Sequence, residues 1–203
     1  MVPRFSAFAF AAALLAAATL ARPALADSES WVHPPGELPQ HGDQSHDLNF
    51  LFGALKVAPD EDTAKAIEQR IWARWLVSSS DTTNLLMSRV KAAVDAKDID
   101  LAIKLLNAVV ELNPTYVEGW NRRATLYYMK KDYLNSLADI RRVLALEPRH
   151  FGALTGMGLI LQELGDEKHA LEAFRKAVAI DPHLQRIPDL VKTLTEKIEG
   201  RDI

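Results

Sequence analysis

Apolar positions over the second half of the chain recur on two scales at once. Locally they return every three or four residues, the spacing of one helix face, and the whole pattern returns after 34 residues. Laying Val117 over Phe151 puts Ala124 on Gly158, Tyr127 on Leu161, Asp132 on Asp166, Val143 on Ala177 and Pro148 on Pro182. A further copy begins near Thr83 and ends at Asn113 and Pro114. A fixed period in this range marks stacked supersecondary units, none of which can bury its apolar face alone. Within each copy, small residues at the eighth and twentieth places let two antiparallel helices approach closely. Large residues at the fourth, eleventh and twenty-fourth places fill the remaining space. Asp98, Asp132 and Asp166 fall in the turn between those helices, where a carboxylate accepts backbone N–H bonds. Pro114, Pro148 and Pro182 close the second helices, because proline has no N–H and disfavours a helical residue before it. The expected fold class is all-α, built of antiparallel helix pairs.

The residues at the repeating places are Leu86, Arg89, Val90, Ala93, Ala102, Leu106, Val109 and Pro114 in the first copy. Trp120, Arg123, Ala124, Tyr127, Ser136, Ile140, Val143 and Pro148 follow in the second, and Leu154, Met157, Gly158, Leu161, Ala170, Phe174, Ala177 and Pro182 in the third. Matched in three consecutive registers, this pattern resembles the tetratricopeptide repeat (TPR). Arg89 and Arg123 stand where the family has Leu, and Ser136 where it has Ala. The resemblance implies a TPR-like α-solenoid with repeats at 83–116, 117–150 and 151–184.

It also implies a concave surface lined by the first helix of each pair. Carried over residue by residue, that lining is Asn84, Met87, Lys91, Val94 and Asp95, then Glu118, Asn121, Thr125, Tyr128 and Met129, then Gly152, Thr155, Leu159, Gln162 and Glu163. The expected partner-binding groove is formed by Asn84, Met87, Lys91, Asn121, Thr125, Tyr128, Thr155, Leu159 and Gln162. Amides there suit a peptide backbone, while Met, Leu and Tyr hold apolar side chains of varied shape. TPR domains that clamp a terminal carboxylate use Lys, Arg and Asn. Here the corresponding places read Met87, Lys91, Arg122, Gly152 and Gly156, which does not support that activity.

The flanks follow other patterns. In 47–82 one helix ends before Pro59, and a second starts at Asp60-Glu61-Asp62-Thr63 with acidic residues at its positive end. Ala64, Ile67, Ile71, Trp72 and Trp75 form its core stripe, and the segment reads as a degenerate helical pair capping the N-terminal end of the stack. In 185–203, Ile187, Leu190, Val191, Leu194 and Ile198 share a face opposite Lys192, Glu196, Lys197 and Glu199, the pattern of a C-terminal capping helix. Residues 27–46 are rich in Pro, Gly, His and Ser and read as a flexible polar arm in which Trp31 is the one large apolar side chain besides Val32 and Leu38.

Residues 1–26 read as a signal peptide: Arg4, the apolar run Ala7 to Ala21, and Ala24-Leu25-Ala26 at the cleavage position, giving a mature start near Asp27. A retained anchor is the rival, but the run falls short of a span of about 20 residues and consists mostly of Ala. No stable membrane span is expected after cleavage, and the protein is expected in the periplasm or outside the cell.

Charge and chemistry narrow the function. A formal charge of −3 carries no nucleic-acid footprint. The chain has no Cys, no Gly-rich phosphate loop after a strand, no His-Glu-x-x-His helix and no Gly-x-Ser-x-Gly elbow, so no enzyme and no cofactor is expected. His33, His41 and His46 lie at spacings that share no helix face, and no metal is expected. His150, His169 and His183 read as surface side chains. Arg122, Arg123, Arg141 and Arg142 read as a solvated helix face paired with Asp139 and Glu118. The leading expectation is a non-enzymatic periplasmic scaffold holding a protein or peptide partner in its groove. The alternative is a self-associating structural protein of the cell envelope, an oligomer joined through 184–200 or the Trp31 arm.

Overall fold

Three aspartates set the frame of the fold. Asp98, Asp132 and Asp166 are the N-caps of successive second helices, accepting from the backbone N–H groups of Leu101, Asn135 and His169. The residue before each lies in the left-handed region, Lys97 at φ 62°, Lys131 at φ 60° and Gly165 at φ 80°. That twist lets the aspartate N–H groups bond back to Ala93, Tyr127 and Leu161 at 2.8–2.9 Å. Each first helix is thus closed and the next opened within three residues.

The computed structural model describes residues 44–200. The segments 1–26 and 27–43, with Trp31, His33 and His41, lie outside the described residues, as does the side chain of His46. Among the described residues there are nine α-helices and no strand: α1 Gln44–Lys56, α2 Glu61–Leu76, α3 Asp81–Asp95, α4 Ile99–Leu112, α5 Val117–Met129, α6 Tyr133–Leu146, α7 Phe151–Glu163, α8 Glu167–Ile180 and α9 Ile187–Ile198. The all-α expectation is met. Helix α1 opens three residues inside the stretch read as an arm, and α9 begins after a corner that includes His183 and Leu184.

The pairs α3–α4, α5–α6 and α7–α8 pack internally and then in chain order. Their interiors hold Val90, Ala102 and Leu106, then Ala124, Ile140 and Val143, then Ala170, Phe174 and Ala177, all buried. Fully burying a side chain such as Leu106 or Phe174 contributes about 1.5–3 kcal/mol. Contact explains one departure, Ser136, and one small residue that the pattern requires, Gly158. Ser136 donates its hydroxyl to Ala124 O at 2.8 Å inside the core, and Gly158 is flush against Phe174, whose ring occupies the space a Cβ would need. Helix α9 covers α8 with Ile187 and Leu194 on Leu171 and Phe174, fastened by Arg175 to Glu199 and Lys197 to Glu167.

The α1–α2 hairpin does not cap the N-terminal end of the stack as expected. Its Leu51, Leu55, Ile71 and Trp75 share a core with Phe151, with Ile180 and Leu184 packed alongside. Arg149 donates to Asn49, His183 to Ala58 O and Gln185 to Glu61, joining the hairpin to segments more than 90 residues away. The linker is fixed to suit this course. Ser78 and Asn84 exchange two hydrogen bonds, at 3.1 and 3.0 Å, and Asn113 donates to the Ser78 hydroxyl. An amphipathic stripe with two tryptophans needs a deep aromatic seat, and Phe151 and His150 supply it, whereas α3 offers to the outside only Leu85, 55% exposed, among polar residues.

Candidate partner-binding groove

Small residues shape the site. Helices α5 and α7 run side by side, and because Gly152, Ala153 and Gly156 carry little or no side chain, a hollow of about 260 Å³ opens between them. Ala124, Ile140, Ala153 and Ile160 floor it, with the buried Ser136 among them; Asn121, Thr125, Tyr128, Thr155 and Leu159 form its walls. The Thr125 hydroxyl donates to Asn121 O at 3.0 Å and the Asn121 amide nitrogen to Glu118 at 3.2 Å. What remains open is the Asn121 carbonyl oxygen and second amide N–H, the Thr125 oxygen lone pairs, and the Thr155 hydroxyl, which is buried without a partner among the described residues.

Five of the nine expected groove residues, Asn121, Thr125, Tyr128, Thr155 and Leu159, meet around this hollow. The other four do not line it. Asn84 is engaged with Ser78, Met87 packs into the α3–α4 core, and Lys91 pairs with Asp95 at 2.6 Å. Gln162 sits further along α7, half-buried.

One edge of the groove is occupied by the chain itself. Glu118, placed by the resemblance in the lining, is buried, and so is His150. His150 caps α7 by accepting the Ala153 N–H on Nδ1 at 3.0 Å, so Nε2 carries the hydrogen and donates to Glu118 Oε1 at 2.9 Å. Trp75 stacks on the imidazole with centroids 4.2 Å apart, and Trp72 stands edge-on to it and covers Gly152. His150 is therefore not the surface side chain expected from sequence, and neither is half-buried His183, which donates to Ala58 O; His169 is exposed. Tyr116 donates to Leu76 O at 2.8 Å, and burial, then the nearby Glu118 charge, push its phenol up to about 12.

The arginine cluster is only in part a solvated face. Arg123 makes a two-pronged bond to buried Asp139, both distances 2.8 Å, lies 4.9 Å over the Trp120 ring and donates to Asn107. The Asp139 hydrogen bond holds the Arg123 pKa above its ordinary value. Arg122 lies 3.7 Å from Glu118, while Arg141 and Arg142 are exposed. The sequence signal for the Arg123 pair was its place, since an arginine where an apolar residue should point inward needs a buried anion.

The family description "Tetratricopeptide repeat" matches residues 151–184. A TPR repeat-containing protein of Rhizobium etli is 40% identical over 153 residues, covering 75% of each chain. Among solved structures, the first TPR domain of Spaghetti (RPAP3), bound to an HSP90 peptide, is similar with a TM-score of 0.56 at 15% identity, over 60% of this chain and 96% of that one. MamA is similar with a TM-score of 0.54 at 21% identity, over 79% of this chain and 86% of its own. At these identities the structural likeness is one of fold.

Proposed function

This chain belongs to the tetratricopeptide repeat family, and on that premise we propose that it is an exported, non-enzymatic scaffold that holds a protein or peptide partner between α5 and α7. The observation that carries the reading is the hollow of about 260 Å³, apolar at its floor and ringed by the unused polar groups of Asn121, Thr125 and Thr155. A hollow of that size accepts one large side chain, and acceptors at its rim suit the N–H groups of the backbone that bears it. Peptide capture by the TPR domain of Spaghetti supports the class of ligand. The cations of a carboxylate clamp have no counterpart here, since Lys91 is paired with Asp95 and Arg122 lies beside Glu118. Export rests on the apolar run Ala7 to Ala21 and the small residues before Asp27.

Two variants test the groove. A Cβ on Gly156 meets only the Ile140 methyl at 3.6 Å, an ordinary contact, and Gly156 lines the hollow, so Gly156→Leu is the substitution expected to fill it. A photo-crosslinker at Thr125 should join a partner segment in the parent chain and fail to join it in Gly156→Leu, with unchanged helical circular dichroism. Equal crosslinking in both would remove the groove from the reading. Mass spectrometry of the exported fraction should find the chain starting at Asp27; an intact Arg4 to Ala26 segment there would replace cleavage by a retained anchor, and a chain confined to the cytoplasmic fraction would remove the export claim.

A further inference from the structure

The α1–α2 hairpin touches the repeats at two ends of different chemistry. One end is aromatic: Trp72 and Trp75 against His150 and Phe151, centroids 4.2–5.6 Å apart. The other is polar and lies where the elbow between α1 and α2 meets the corner joining α8 to α9. There His183 Nε2 donates to Ala58 O at 3.0 Å, Gln185 donates to Glu61, and Glu68 of α2 is within hydrogen-bonding reach of Asp181, the residue that ends α8. Asp181 is fully buried. Its Oδ1 accepts the His183 N–H at 3.0 Å, and its Oδ2 is buried with no other donor among the described residues. A buried carboxylate oxygen left without a donor is costly. The neighbouring Glu68 carboxyl, when protonated, is a donor within reach of the Asp181 carboxylate.

We propose that the hairpin is a strap latched by one proton held between Glu68 and Asp181, seated in mildly acid solution and loosened at its elbow end when that proton leaves. The groups around the latch agree. Burial first, then the Asp181 charge and hydrogen bond, push the Glu68 carboxyl up to about 7. On its own helix Lys65 opposes that rise and Glu61 adds to it. From the corner, His183 is tied to Ala58 O and lies near Asp60, whose carboxyl is held low chiefly by the Thr63 N–H bond. Arg186 and Asp189 line the open depression beside Glu61 and His183.

The sign follows from linkage. The docked value lies above the ordinary carboxyl value, so the latch contributes fully below about pH 4.5 and is lost as pH rises through about 7. The aromatic end rests on ring contacts over the buried His150–Glu118 pair, whose two members both belong to the repeats rather than one to the hairpin, so the strap pivots there. Helix α2 runs from the latch to Trp72 on Gly152, which ties the seat of the strap to the edge of the hollow.

Hydrogen exchange of the full chain, read by mass spectrometry from about pH 5.5 to about pH 8.5 with intrinsic rates divided out, tests the latch. Amides of residues 50–70 are expected to lose protection on the order of tenfold across that range while α3 to α8 keep theirs. Glu68→Gln, which brings an N–H donor at every pH, should abolish the loss. Asp181→Asn should abolish it from the opposite side, and it serves alone if Glu68→Gln does not fold. A pH-independent parent profile, variants that follow the parent, or helices that all lose protection together would each overturn the proposal.

Discussion

At the scale of single residues, the positions that break the repeating pattern carry the most information. Arg123 occupies a place the family fills with Leu, yet restoring the family residue should harm this protein. Arg123→Leu leaves the Asp139 carboxylate buried without its two-pronged partner, at a cost of about 2–4 kcal/mol in urea unfolding. Adding Asp139→Ala should recover much of it, because the uncompensated charge goes too. Gly158→Ala presses a methyl into the Phe174 ring and should cost about 1–3 kcal/mol, although alanine is the better helix former. Lys131 sits at φ 60° where the third repeat has Gly165. Lys131→Gly relieves the left-handed strain and should raise stability by about 1 kcal/mol, read as a Tm increase of a few degrees. The aspartate caps were legible in the sequence because a cap needs one side chain at one place. The left-handed lysines were not, because only one copy displays the glycine that advertises the conformation.

At the scale of elements, helical periodicity located α1 to α9, and it failed over where two of them go. An apolar stripe such as Leu51, Leu55, Ile71 and Trp75 states that a face is buried and is silent on what buries it. The seat is built from residues whose sequence reading was polar, His150 and Glu118, and buried polar groups announce themselves only as pairs. The same blindness affects the groove. Five of its expected residues gather at the hollow, while Glu118 is buried beneath the hairpin and Gly152, at the edge of the hollow, is covered by Trp72, since the resemblance placed the lining without the hairpin. The pair can be weighed by substitution. Glu118→Ala strips the acceptor from a buried imidazole N–H and should lower stability by about 1–3 kcal/mol, with altered Trp75 fluorescence. Glu118→Gln keeps an acceptor oxygen and should cost less than half as much in the same thermal melt.

At the scale of the whole molecule, contacts between neighbouring repeats alone would give a chain whose stability is a sum of local terms and whose ends fray first. The hairpin changes that. Ser78 and Leu76 O hold the end of the first repeat through Asn113 and Tyr116, Trp75 holds the second through His150 and, by way of it, Glu118, and Phe151 with Asp181 engages the third. One helical pair thus braces all three repeats, and loss of any repeat removes part of its seat. Unfolding should therefore be concerted. In urea at about pH 6, with Trp31 and Trp120 replaced by Phe, circular dichroism, which reports every helix, and fluorescence of the remaining Trp72 and Trp75, which reports the brace, should give one coincident transition. Replacing Leu51 and Leu55 with Ala keeps both fluorophores but empties the hairpin core, where both leucines are fully buried at 1% and 0% exposure. In that variant the fluorescence change should precede the loss of helix, with the three repeats unfolding afterwards over a broader range. A transition that stayed single and merely shifted would mean that the repeats cooperate without the brace.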